Sequence, residues 1–133
     1  YDSLRSGSDF LWDDYTAGER IDHVDGMTIE EAEHMLAARL YQNTAKVHFN
    51  QHVEREGRFG KRIVYGGHVI SLARALSFNG LANALAIAAV HGGRHAAPTF
   101  AGDTLYAWSE VLSHDALPGR SDIGALRLRT VAT

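Results

Sequence analysis

The sequence predicts an α+β fold in which an antiparallel sheet wraps around one long buried central helix. Three observations carry that prediction. Residues 68–78 set Val69, Ile70, Leu72, Ala73, Ala75, Leu76 and Phe78 around nearly the whole circumference of a helix. A helix that is apolar on every side has to be covered on every side. Helical patterns come before residue 80 and the clearest strands come after it, the segregation expected of α+β rather than alternating α/β chains. Finally, 133 residues suffice for one domain with a real core.

The elements follow in order. Residues 1–18 are rich in Ser, Gly and Asp and read as an extended lead-in, with Phe10, Trp12 and Tyr15 as possible anchors. Residues 19–24 form a strand candidate closed by the Asp25-Gly26 turn signal. Thr28, three residues before Glu31, fits a capping box, and Ile29, Ala32, Met35, Leu36 and Leu40 recur at helical spacing. Residues 41–50 lack any period and read as a loop, while residues 51–60 have room for a short helix. Asn79-Gly80 closes the central helix. Residues 82–90 are ambiguous, because their alanines favour helix while Leu85, Ile87 and Ala89 alternate as in a strand. Residues 104–112 and 123–131 read as strands, joined by a loop through Leu117-Pro118-Gly119.

Composition removes several function classes. Apolar residues at 45% and charged residues at 22% are ordinary for a soluble globular domain. A formal net charge of −3 gives no general attraction to nucleic acid or to an anionic membrane. With no cysteine, disulfides and thiolate chemistry are excluded. No run is long and apolar enough to span a membrane, so a cytoplasmic location is the expectation. The chain starts at Tyr1 and its last strand runs to the end, as a piece of a longer polypeptide would.

Eight histidines invite a metal reading. His48 and His52 are four apart but have no evident third ligand. His91 and His95, if on a strand, would lie about 13 Å apart, too far to share one ion. No metal is therefore expected. The 41–50 loop is more informative, packing Asn43, Thr44, His48 and Asn50 behind a capped helix. Imidazole can accept and return a proton near neutral pH, although structural amides in a crossing loop are an equal alternative. Tyr65-Gly66-Gly67-His68 lets backbone approach a ligand at the positive end of a helix, where free N–H groups can hold a developing oxyanion. Arg55, Arg58, Lys61 and Arg62 place four cations in eight residues, which could hold phosphates by paired hydrogen bonds or equally form a solvated basic loop.

Asn43-Thr44-Ala45-Lys46-Val47-His48-Phe49, then Val64-Tyr65-Gly66, then Pro98-Thr99-Phe100-Ala101-Gly102-Asp103-Thr104-Leu105, together resemble the MaoC-like hydratases. The resemblance covers residues 13–133. It implies the hot-dog fold over residues 19–133, as one half of a double-hot-dog chain, and a second hot-dog unit as partner. It also implies an enoyl-CoA hydratase or dehydratase, with mesaconyl-CoA hydrated to β-methylmalyl-CoA as the expected reaction. CoA is part of that substrate, with Arg55, Arg58, Lys61 and Arg62 as candidates for its phosphates, and no other cofactor is expected. In the family an aspartate and a histidine five positions apart activate water. His48 matches the histidine, but Asn43 stands at the aspartate's place, and an amide cannot take a proton at neutral pH. Gly66 matches the backbone donor to the thioester carbonyl, with Gly67 beside it. Arg74 and Arg94 are unranked candidates for a second substrate carboxylate. A hot-dog thioesterase, or a non-catalytic acyl-CoA-binding half, are the alternatives.

Overall fold

The computed structural model describes residues 7–133. Among them are strands β1 (Arg20–Asp22), β2 (Met27–Thr28), β3 (Thr104–Leu105), β4 (Ala107–Ala116) and β5 (Gly124–Ala132), and helices α1 (Glu31–Leu40), α2 (Gln51–Glu54) and α3 (Gly66–Leu76). Residues 1–6 of the expected lead-in lie outside the described residues. The chain falls into two compact units, the first formed by residues up to Gly26 with Ala73–His91 and Tyr106–Thr133, the second by Met27–Leu72 with Gly92–Leu105.

In the first unit, β4 pairs antiparallel with both β1 and β5, giving the order β1-β4-β5. Alternation along β4 buries Ala107, Ser109 and Val111, and a bulge falls between Val111 and Ser113. β4 continues to Ala116, four residues past its expected end, so the connecting loop is shorter than its turn-rich composition implied. Tyr15, Leu81 and Val111 form an apolar core with Ile21, Leu126 and Leu128 packed against it. Of the expected anchors, Trp12 stacks on His114 at 3.8 Å and Tyr15 is buried, whereas Phe10 is exposed.

A buried polar chain ties this unit together. The fully buried His23 donates from Nδ1 to the Asn79 carbonyl at 2.6 Å, and its Nε2 meets the Ser109 hydroxyl at 2.8 Å. Ser109 in turn meets Thr130 at 2.8 Å. Those bonds hold the chain where the helical run breaks. Asn79 leaves helical geometry, and Gly80 has φ of 96°, where a Cβ would also come within 2.6 Å of Ile21. The expected stop at Asn79-Gly80 is therefore observed.

The second unit pairs β2 with β3 and carries α1 and α2. It corrects two expectations. Thr28 does not cap α1: it lies in β2 with its hydroxyl 2.8 Å from that of Thr104, and Glu30 takes the cap position, its amide donating to Glu33 at 3.1 Å. The buried side of α1 is His34, Ala37 and Ala38, while Ala32, Leu36 and Leu40 are exposed. Of the expected apolar stripe, Ile29 is fully buried just ahead of the helix and Met35 is half-buried, so the stripe is covered only in part.

The central helix is also corrected. α3 buries Leu72, Ala73 and Leu76, yet Ile70 is 54% exposed and Ala75 is exposed as well. Residues 82–90 take neither helix nor strand past the turn at residue 83, and Leu85, Ile87 and Val90 are 70%, 59% and 79% exposed.

Candidate functional site

The residues that form the candidate site all belong to the second unit. After α1, Gln42 adopts a positive φ and the Asn43 amide bonds back to the Ala38 carbonyl, which turns the chain sharply. The Asn43 side-chain oxygen then accepts the Ala45 amide at 2.8 Å. This local turn feeds a short 3-10 turn, Lys46–His48, which presents the histidine. The His48 Nδ1 lies 3.0 Å from the Ile63 carbonyl. A carbonyl only accepts, so Nδ1 carries the hydrogen and Nε2 is left as the basic nitrogen.

The segment after Ile63 brings the second element to the first. The Val64 amide bonds the Thr99 carbonyl at 2.8 Å, fixing the extended segment that leads into Tyr65. The His48 and Tyr65 rings meet edge to face, with centroids 5.8 Å apart, and Tyr41 lies 6.3 Å from Tyr65 in a tilted contact. The Tyr65 carbonyl accepts from His68 at 2.9 Å and from Val69 at 3.3 Å, which places Gly66 and Gly67 in the first turn of α3. Amides at those positions have no carbonyl behind them inside the helix and point outward, along the positive end of its dipole. His48 and the glycine pair, predicted separately, are thus brought together around Tyr65.

The glycines have steric reasons. A Cβ on Gly67 would come within 2.6 Å of the Tyr65 ring, and one on Gly66 within 2.5 Å of both Cε1 and Nε2 of His95. His95 therefore packs its ring on the backbone at the helix start. Sequence spacing treated His95 only as half of a poor metal pair, and no local signal ties it to a glycine 29 residues earlier.

The basic segment is divided. Arg62 is 15% exposed and its guanidinium is taken by an ion pair with Glu31, with a further contact to the Phe49 carbonyl at 3.4 Å. Arg55, Arg58 and Lys61 are exposed; Arg58 lies over Phe59 at 5.1 Å and Lys61 over Phe100 at 4.3 Å. Arg74 bonds Ser77 at 2.7 Å in the first unit, and Arg94 is exposed.

A second missed histidine is the buried His34 of α1. His34 is 1% exposed, and neither ring nitrogen has a hydrogen-bond partner among the described residues; Glu31, at 3.5 Å, is too distant to serve. Burial lowers its pKa first, then the charges of His68 and His48, against an opposing pull from Glu33. The folded protein therefore resists protonating His34, whereas the unfolded chain takes that proton at the ordinary value near 6.5. The stability gained from a neutral His34 is full above about pH 6.5 and is lost as pH falls from there toward the depressed folded value. Thermal melts at about pH 7.5 and pH 5.5 are expected to show a smaller drop in Tm for His34→Leu than for the parent. Equal drops would remove His34 as the source.

Residues 14–122 match the profile of the MaoC-like domain. The chain is 75% identical over 133 residues to β-methylmalyl-CoA dehydratase of Chloroflexus aurantiacus, covering all of this chain and 38% of that protein. It is 61% identical over 134 residues to mesaconyl-CoA hydratase of Cereibacter sphaeroides, covering 99% of this chain and 37% of that protein. The chain thus spans well under half the length of either relative. Among solved structures, a Chloroflexus aurantiacus protein described as a MaoC domain dehydratase superposes with a TM-score of 0.96 at 75% identity, over 100% of this chain and 38% of that one. A Mycobacterium tuberculosis protein described as having a double hot-dog fold superposes with a TM-score of 0.67 at 34% identity, over 87% of this chain and 32% of that one. The fold is therefore the hot-dog fold, with antiparallel strands and helices as the sequence predicted. No helix among the described residues is long and apolar enough to cross a membrane.

Proposed function

The chain belongs to the MaoC-like domain family, and from that premise we propose that it is one hot-dog unit of a cytoplasmic enoyl-CoA hydratase acting on mesaconyl-CoA to give β-methylmalyl-CoA. The substrate is taken from the two relatives' names. The observation that carries the chemistry is His48, whose Nδ1 is anchored on Ile63 and whose ring adjoins Tyr65, the residue just before α3. The thioester carbonyl rests on the Gly66 and Gly67 amides. Water adds at the β-carbon and yields a proton to His48 Nε2, while the electron pair of the double bond moves toward the carbonyl oxygen at the helix start. Fixed donors at that point stabilise the enolate without reorganising, an effect worth about 3 kcal/mol per donor. Arg55, Arg58 and Lys61 remain available to the CoA phosphates, and the reaction requires no cofactor beyond the substrate's own CoA.

The partner in this reading is a second hot-dog unit. The exposed Leu85, Ile87 and Val90 support it, because a run of apolar side chains left in solvent marks an interaction face. Asn43 favours one competing reading, a unit that binds acyl-CoA while another performs the chemistry. Loss of the conjugated enoyl-thioester absorbance with mesaconyl-CoA or crotonyl-CoA tests both. Turnover that needs His48 supports a catalytic unit; acyl-CoA binding with turnover indifferent to His48 supports the competing one. Release of free CoA would instead indicate a thioesterase.

A further inference from the structure

We propose that His95 is a second proton-transfer residue of this site, delivering a proton to the α-carbon of the substrate while His48 takes one from water. The inference rests on the hydratase reading above. Hydration needs a proton acceptor at the attacking water and a donor at the α-carbon. Asn43 offers neither, and its oxygen is already occupied by the Ala45 amide. The carboxylates of this unit nearest in the hydrogen-bond and ion-pair network, and the buried histidine, are engaged elsewhere. Glu31 pairs with Arg62, Glu33 faces the His68 Nε2 at 3.3 Å, Asp103 accepts the Phe100 amide at 2.8 Å, and His34 is sealed from solvent. His95 differs from all of them: it is exposed, yet its ring is packed on Gly66 closely enough to exclude a methyl group there. That puts an imidazole against the glycine whose amide would hold the thioester carbonyl oxygen, two bonds from the α-carbon.

The step balances. The water oxygen bonds the β-carbon as the Cα=Cβ π bond breaks, and the water proton passes to His48 Nε2. The electron pair bonds a proton from the His95 imidazolium at the α-carbon. One proton has moved from His95 to His48, and exchange with solvent resets both.

The test uses the protein at its full native length. His95→Gln is expected to lower kcat by about 100-fold or more while leaving KM nearly unchanged, and to remove the alkaline limb of the pH–rate profile, which reports a group that must be protonated. Adding Asn43→Asp to that variant supplies a carboxylate that can take the water proton and pass it to the α-carbon, and is expected to restore much of the turnover. A merely structural role would not be rescued in this way. His95→Gln that keeps kcat within about threefold and both pH limbs overturns the inference and leaves the hydratase reading intact. Loss of turnover that Asn43→Asp does not restore overturns it too. A parent protein without hydratase activity removes the reading and the inference together.

Discussion

His48→Ala in the protein at its full native length is expected to lower kcat for enoyl-CoA hydration by about 100-fold or more, since positioned acid–base help is worth about 10²–10⁴. The side chain is only partly buried, so truncation opens no large cavity, and the bond lost is the 3.0 Å contact with the Ile63 carbonyl. That contact orients the ring, and its loss could loosen the short turn that carries position 48. His48→Gln separates the two effects, because a glutamine amide can still donate toward Ile63 but takes no proton at neutral pH. Both variants should melt close to the parent, both should be nearly inactive, and the acid limb of the pH profile should vanish with them. Steady-state assay of enoyl absorbance with a parallel melt is sufficient. A glutamine variant with parental turnover would show that the imidazole is not the base.

The features of the fold and of the candidate site that depend on sequence neighbours were legible in advance. The loop carrying Asn43 and His48, the glycine pair opening a helix and the stop at Asn79-Gly80 each have local causes, namely turn hydrogen bonds and backbone freedom. What escaped depends on which surface the rest of the chain covers. Helical spacing gave α1 an apolar stripe, but periodicity states only that a stripe exists, and His34, Ala37 and Ala38 are what the fold encloses. Thr28 had the chemistry of a cap and is used as a strand residue instead, because Thr104 stands opposite it. Arg62 reads in sequence as one of four similar cations, and only the fold brings Glu31, 31 residues earlier, close enough to claim it. Residues 82–90 satisfied two periods at once, and the chain on its own adopts neither. His95 could not be found at all from spacing, since its contact with Gly66 exists only in three dimensions.

That contact makes Gly66→Ala the sharper experiment of the pair. A methyl at position 66 would sit within 2.5 Å of the His95 ring, which is nearer than nonbonded carbon atoms approach, so the ring must move. The move is cheap for folding: His95 is exposed, and position 66 has no positive φ that alanine would strain. Tm should therefore hold. Turnover should not hold, because displacing a reacting group by about 1 Å can cost on the order of 100-fold. The methyl also crowds the seat proposed for the thioester carbonyl, so KM for acyl-CoA should rise as well. Combining Gly66→Ala with His95→Gln separates these contributions, since two changes that act through one imidazole cannot add in full. The double variant is expected to have nearly the kcat of His95→Gln alone, with the higher KM of Gly66→Ala. Full additivity in kcat would mean that Gly66 serves the carbonyl independently of His95, and an undiminished kcat in Gly66→Ala would take the carbonyl seat away from this helix start.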